Sequence, residues 1–332
     1  MDPSFAVNRT AGTAVVLLNL GGPSSYEEIR SFLFSLFYDP DILSLPNPFR
    51  FILAQFISRI RMRTAQEMYA VLGGSSPLLA NTKAQAQALE KELGDAFRVF
   101  VAMRHAAPFA EETIEEVAAY SPEKIVLLPL YPQFSITTTG SSLKAWAKAA
   151  RAHSLPSFFF IESYPSEFGF IEALKEHTLS SYQEAKAFGY PRLLMTAHGL
   201  PQTIIQQGDP YQRHVEETAK SFVQSLKIPK LDSVLCYQSR IGPRKWLTPY
   251  VEDEIIKAAR EKRPLVVVPL SFVSEHIETL VELDITYRKR ALEAGCPSYQ
   301  RVQTVQTHSS FIKGLARLVK QSILTPQGEE RC

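Results

Sequence analysis

Eight short apolar runs punctuate the chain, at 14–20, 99–103, 125–130, 158–161, 193–196, 234–237, 265–270 and 302–305. Each is nearly continuous in Val, Ile, Leu, Phe and Ala, the pattern of a strand covered on both faces. Longer stretches of helical character lie between them, so the order predicts parallel strands joined by right-handed crossovers. The runs divide four and four near 164–168, where Pro165 and Ser166 precede a helical stretch from about Glu167. The predicted class is therefore α/β: two similar Rossmann-like halves, each a four-stranded parallel sheet flanked by helices. The first covers 1–165, the second 166–308, and a last helix at 309–324 is expected to return to the first half.

Ligands of open parallel sheets sit beyond the carboxyl ends of the strands. Polar and turn-forming residues collect there: Gly21-Gly22-Pro23, Arg104-His105, Tyr131-Pro132-Gln133, Ala197-His198-Gly199-Leu200-Pro201, Gln238-Ser239-Arg240 and the SFVSEH segment at 271–276. His198 has the placement a general base needs, and equally that of a histidine bonding a carbonyl at a turn. His105 holds the equivalent end of an earlier strand. Glu275, Glu278 and Glu282, at i, i+3 and i+7, read as three carboxylates on one helix face with no basic partner at helical spacing. Their repulsion, about 0.2–0.5 kcal/mol per pair, calls for a divalent cation or a substrate with protons to lose. Asp284 and Arg288, at i and i+4, read as a solvated pair. The hydroxyl-rich run 137–142 opens a helix whose N-terminus suits an anion. Gly21-Gly22-Pro23 and Gly73-Gly74-Ser75-Ser76-Pro77 lack the rest of a dinucleotide or P-loop fingerprint, which sets those ligands aside.

Composition narrows the picture further. Thirty-six Lys and Arg against 34 Asp and Glu leave a formal charge of +2, so no global field recruits nucleic acid. Cys236, Cys296 and Cys332 are odd in number and scattered, which fits neither a disulfide framework nor a clustered metal site and points to a reducing compartment. The opening residues lack a secretory signal and no run reaches the ~18 apolar residues of a membrane span, so a cytoplasmic location is expected. Residues 49–63 alternate large apolar side chains with Arg50, Arg59, Arg61 and Arg63 and contain no acid. With the aromatic stretch at 32–37 they read as a lip that touches a membrane or admits an apolar, anionic ligand, and peripheral membrane contact through 32–63 is expected.

Several blocks together resemble the ferrochelatase family, whose members insert ferrous iron into a porphyrin. They are LNLGGP at 18–23, FYDPDILSLP at 37–46, YPQFSITTTGSS at 131–142, AHGLP at 197–201, QGDPY at 207–211, YQSRIGPRKWLTP at 237–249 and SFVSEHIETLVELDI at 271–285. The resemblance implies a porphyrin cleft between the two halves and insertion of Fe2+ into protoporphyrin IX, or a relative such as coproporphyrin III, giving haem and two protons. It makes His198 the active-site histidine and Glu278 its acidic partner across the macrocycle, with His198, Glu278 and Glu282 handling the metal. Glu275 and His276 would line the same helix, and Arg104 and His105 the cleft wall. Tyr69, Ser76, Tyr131 and Trp246 match cleft or propionate positions, and Arg61 or Arg63 the basic residues near the propionates. Where members continue the acidic row, this chain has Thr286, and where some have a cysteine in the Ser-rich loop it has Ile136. No tightly bound cofactor and no iron–sulfur cluster are expected, with Fe2+ as substrate and a monomer or homodimer as the state. The competing readings are a chelatase for another divalent metal, a two-domain binding protein and a nucleotide-sugar transferase.

Overall fold

The computed structural model describes residues 12–324 and 329–330. Cys332 and the first eleven residues, on which the reading of the N-terminus rests, lie outside the described residues. The strands are β1 (Thr13–Asn19), β2 (Phe97–Met103), β3 (Lys124–Pro129), β4 (Phe158–Phe160), β5 (Arg192–His198), β6 (Asp232–Gln238), β7 (Leu265–Pro269), β8 (Tyr299–Arg301) and a two-residue β9 (Glu329–Glu330). The helices are α1 (Ile29–Tyr38), α2 (Phe49–Ala70), α3 (Leu78–Leu93), α4 (Ala110–Tyr120), α5 (Ser141–Ala150), α6 (Phe168–Ala185), α7 (Gln202–Gln206), α8 (Tyr211–Leu226), α9 (Val251–Arg260), α10 (Arg288–Glu293) and α11 (Ser309–Leu324). Two π-helical stretches, Ile136–Gly140 and Glu278–Tyr287, precede α5 and α10.

The strands form two sheets with one topology repeated: β2-β1-β3-β4, all parallel, with β9 antiparallel on β4, and β6-β5-β7-β8, all parallel. The sequence reading placed the eighth strand at 302–305. It lies at Tyr299–Arg301 instead, because the backbone pairing with β7 ends at Val267–Arg301 and Val302 and Val305 are buried in the segment that leaves the sheet.

Successive strand residues face opposite sides, and both sides are covered, hence the continuous apolar runs. Ala14, Val16, Ile125 and Leu127 face Ile114 of α4 and Trp146 of α5. Val15, Leu17, Val126 and Leu128 face a helical layer that includes Leu89, Phe170 and Leu315. Leu193, Met195, Val266 and Val268 of the second sheet belong to that same cluster, while Leu194 and Val267 face α9 and the second π-helix. One continuous core thus joins the two sheets through α3, α6, α8 and α11.

The crossing of α6 and α11 is close enough to need glycine. A Cβ on Gly169 would fall on the backbone carbonyl of Ser310, well inside contact distance. Gly169→Ala, which in an isolated helix would stabilise by about 0.5–1 kcal/mol, should here destabilise by about 1–3 kcal/mol through overpacking. Chemical denaturation checks the sign; a gain in stability would show that the two helices separate without cost.

Candidate active site

Each sheet has its switch of strand order beside its first strand, β1 in one and β5 in the other, the place where a crevice opens in such sheets. His198 ends β5. Its backbone N–H donates to Ser271 Oγ at 3.0 Å and its carbonyl accepts from the Tyr211 hydroxyl at 2.9 Å. Its ring Nδ1 lies 2.8 Å from Glu278 Oε2. The Trp246 ring packs over Gly199, tethered by its indole N–H donating to the Ile241 carbonyl at 3.0 Å.

Glu278 opens the second π-helix, and Glu282 follows four residues later. Ser239, at the end of β6 with a left-handed φ of 64°, joins them: its hydroxyl is 2.6 Å from Glu282 Oε2 and 3.2 Å from Glu278 Oε2. Its N–H donates to Glu282 Oε1 at 3.2 Å, and the Tyr287 hydroxyl donates to that same oxygen at 2.7 Å. The result is a ladder of exchangeable protons running from His198 through Glu278, Ser239 and Glu282 to Tyr287.

Electrostatics sets the state of each rung. Burial alone would lower the His198 pKa, but the charge of Glu278, its hydrogen bond and the more distant Glu282 outweigh burial and raise it. Burial pushes Glu278 up; the His198 charge and hydrogen bond, then His276 and Ser239, overcome this and hold its carboxyl well below the usual range. Glu282 goes the other way, raised by burial and then by the neighbouring Glu278 charge, with the Ser239 and Tyr287 hydrogen bonds only partly offsetting them. Two adjacent carboxylates driven apart in this way divide their roles: one remains an anion and the other takes a proton readily.

The opposing wall comes from the first lobe. A Cβ on Gly22 would lie 2.5 Å from Ser76 Oγ, so the absence of a side chain there lets the turn after β1 close on Ser76. Tyr69 is buried nearby, and its hydroxyl is raised by burial and by the charge of Glu278, which puts it within the field of the acidic ladder. Behind this wall the Asp39 carboxylate, fully buried, accepts from Arg104 at 2.7 Å and from Ser141 Oγ at 2.5 Å. Tyr131, with its hydroxyl buried, lies in the field of Arg104.

Several expectations are corrected. Glu278 does not face His198 across an open ring; the two touch. Glu275 is not in the acidic row, because 272–276 is not helical: its carboxylate turns away to Arg301 at 2.6 Å and to the Thr304 N–H at 2.9 Å, a basic partner that sequence spacing could not reveal. His276 is buried, with its ring against Phe272 and Nε2 3.9 Å from Glu278. His105 is not on the cleft wall but buried behind it, 3.2 Å from Ser35 Oγ and 3.8 Å from Asp39. Arg63 projects to solvent and pairs with Glu67, whereas Arg61 lies over the Phe37 ring. Among the described residues no group of three or more His, Cys, Asp or Glu side chains is arranged to hold a metal. His198, Glu278 and Glu282 therefore form a chain of contacts and no closed ligand set. The anion at the hydroxyl-rich run is the protein's own, since Asp209 Oδ2 accepts from Ser135 Oγ and the Ile136 N–H. Asp284 and Arg288 do pair, at 2.8 Å, with Arg301 joining them.

Sequence reasoning assigned no role to Ser239, Ser271, Tyr211 or Tyr287. Ser239 and Ser271 stand at strand ends, and Tyr211 stands in the QGDPY block, so position was the available signal; Tyr287 carried none.

Two doubly wound lobes of one topology thus carry a histidine–carboxylate pair at the end of β5. Two solved structures share the fold over nearly the whole chain. SirB from Bacillus subtilis with Fe3+ matches at a TM-score of 0.56 and 11% identity, covering 94% of this chain and 95% of that one. The sirohydrochlorin chelatase SirB from B. subtilis subspecies spizizenii in complex with cobalt matches at 0.54 and 11% identity, covering 95% and 97%. The sequence profile described as Ferrochelatase matches residues 12–323. Ferrochelatase from Wolbachia sp. subsp. Drosophila simulans (strain wRi) is 49% identical over 310 residues, covering 92% of this chain and 98% of that protein. The Caulobacter vibrioides ferrochelatase (strain NA1000 / CB15N) is 46% identical over 319 residues, covering 95% and 91%. The chain belongs to the ferrochelatase family. Its reaction is insertion of Fe2+, a substrate, into a porphyrin for haem synthesis.

The buried imidazole behind the wall has a measurable consequence. Burial, then the Arg104 charge, lower the His105 pKa to about 3, with Asp39 opposing. A folded-state pKa below the unfolded value means that stability is fully present above about pH 6.5 and declines as pH falls towards 3. At pH 5 the loss amounts to about 2 kcal/mol. His105→Asn, which keeps a polar atom near the position of Nδ1, should remove it. Urea unfolding at pH 7.5 and 5.0 should show the variant–wild-type difference shifting by about 2 kcal/mol in favour of the variant at the lower pH; an unchanged difference would mean that His105 is already charged in the folded state.

Proposed function

We propose that His198 and Glu278 remove the pyrrole protons from a porphyrin, protoporphyrin IX or a relative such as coproporphyrin III, bound between the lobes. The observation that carries this reading is the 2.8 Å contact between His198 Nδ1 and Glu278 at the end of β5, in a chain whose family chemistry releases two protons. With Nδ1 engaged, Nε2 is the nitrogen left to accept a proton, and Glu278 stabilises the imidazolium that forms. Ser239 and Glu282 then provide an outward path, Glu282 being the carboxylate whose proton affinity is raised. Glu278 and Glu282 also offer oxygen donors that replace water around the incoming Fe2+ one contact at a time, without a closed site that would retain it. Tyr69, Ser76 and Trp246 line the cavity in this reading, Arg104 and Tyr131 back it, and Arg61 on Phe37 is the basic group nearest a propionate. The lobes are 1–165 with the returning helix 309–324, and 166–308. Nothing in this chemistry calls for a tightly bound cofactor.

A second reading concerns the lip. Phe49, Ile52, Phe56 and Ile60 of α2 follow helical spacing and are 64, 60, 61 and 61% exposed. Such an apolar stripe beside Arg59 supports peripheral contact with an anionic membrane, where a porphyrin with apolar edges and anionic propionates also partitions. No described helix is long and apolar enough to cross a membrane.

His198→Ala should lower porphyrin metallation by about 10²–10⁴-fold with circular dichroism unchanged; retention of more than about a tenth of the rate removes the base role. Glu278→Gln should cost more turnover than Glu282→Gln, because the first touches His198 directly and the second acts through Ser239. The reverse order would mean that the ladder runs the other way.

For the lip, replacing Phe56 and Ile60 together with Ser should weaken binding to anionic vesicles by about 3 kcal/mol, from the apolar surface withdrawn. Co-sedimentation measures it, and wild-type protein that never co-sediments disposes of the membrane reading.

A further inference from the structure

Helix α3 belongs to the first lobe, yet two of its side-chain amides, buried Gln85 and half-buried Asn81, are bonded to the segment of the second lobe that leads into Glu278. The Gln85 side chain is completely buried. Its Nε2 donates to the carbonyls of Val273 at 3.1 Å and Gln306 at 3.0 Å, while its Oε1 accepts from Ser274 Oγ at 2.9 Å. Only one orientation of the amide satisfies two carbonyls and one hydroxyl, so the contact specifies geometry as well as adhesion. One turn earlier on the same helix, Asn81 Nδ2 donates to the Glu275 carbonyl at 2.9 Å. The helix is itself fixed to β1, since Asn19 donates to Thr82 Oγ1 at 3.0 Å.

The clamped segment, 271–277, holds both members of the catalytic pair. Ser271 receives the His198 N–H, and the His276 N–H donates to Thr279 Oγ1 at 3.0 Å, closing the first turn around Glu278. Gln306, the far end of the clamp, has a left-handed φ of 43° although it is not glycine, and its N–H donates to the Val273 carbonyl at 2.9 Å. Unfavourable backbone of this kind persists where surrounding contacts over-determine it. Here those contacts include the Gln85 amide.

We infer that Gln85, assisted by Asn81, is a positioning residue for the metal-insertion reaction: it sets, from the first lobe, the height at which Glu278 meets His198 and the porphyrin. The inference rests on the role proposed above for Glu278. Neither amide touches the reacting atoms in this account; both act by fixing the backbone from Val273 to Glu275. A displacement of about 1 Å in a catalytic group can cost ~10²-fold in rate, so loss of the clamp should be visible in turnover before it is visible in porphyrin binding.

The test compares Gln85→Met, which keeps length and removes all three hydrogen bonds, with Asn81→Ala at the half-buried end. Each is made in the wild-type and Glu278→Gln backgrounds, and the probes are Fe2+ and protoporphyrin under anaerobic conditions. In the wild-type background kcat should fall by about tenfold or more for Gln85→Met and severalfold for Asn81→Ala, with KM for porphyrin within twofold of wild type. In the Glu278→Gln background the same changes should cost less than about twofold, because residues acting through one another are not additive. Unchanged kcat, full additivity, or a loss carried by KM would overturn the inference and leave the amides as inter-lobe packing. Should Gln85→Met fail to fold, Asn81→Ala decides by the same cycle. Should Glu278→Gln itself have no effect on turnover, the proposed role of Glu278 falls, which is a different outcome from a clamp that proves silent while Glu278 matters.

Discussion

A carboxylate brought into a crevice between two lobes must be compensated or it takes up a proton, and the site is organised around that requirement at Glu278. His198 meets it from the end of β5 at 2.8 Å, with Ser239 and His276 behind. The compensation is reciprocal: the same contact that keeps Glu278 anionic raises the proton affinity of His198. In the role proposed for the pair, the carboxylate would stabilise the imidazolium that forms when His198 accepts a pyrrole proton. Glu282, one hydroxyl away, bears the opposite consequence and is made more basic by burial and then by the anion beside it.

Placing two side chains from different strands at that distance is a problem for the whole fold. His198 is fixed by β5, whereas Glu278 is fixed by the 271–277 segment after β7, whose anchors lie in three places: Arg301 and the Thr304 N–H through Glu275, His198 itself through Ser271, and α3 of the first lobe through Asn81 and Gln85. The shared helical layer between the sheets makes such anchoring effective, because one apolar core reaches from β1 and β3 to β5 and β7. The lip is joined to the same framework through Asp39, which binds Arg104 and Ser141. Its outer stripe is left unpacked, which is the feature on which the proposed membrane contact rests.

Seven of the eight apolar runs became the expected strands; the strand-end rule pointed to His198 and residue spacing to Glu278 and Glu282, which the fold brings together. Those inferences depend on short-range pattern: continuous apolar runs, a turn that cannot extend, a fixed spacing along one segment. Spacing fails at Glu275, because it requires a regular helix across a segment that stays non-helical until Ile277. The strand-end rule failed at His105, which is buried behind the wall, and the resemblance placed near the propionates an Arg63 that projects to solvent and pairs with Glu67.

By itself, then, the sequence determined the α/β class, the four-plus-four division, the family and which strand ends hold titratable groups, because local periodicity and ordered motif blocks carry that information. Tertiary structure alone decided who pairs with whom. Arg301 neutralises Glu275 across 26 residues, Arg104 satisfies Asp39 across 65, and Ser239 joins two glutamates about 40 residues further on. The state of each ionisable group follows from those long-range neighbours and from burial. Neither is a property of spacing along the chain, so which glutamate stays charged, and which merely holds a loop, became legible only once the chain had folded.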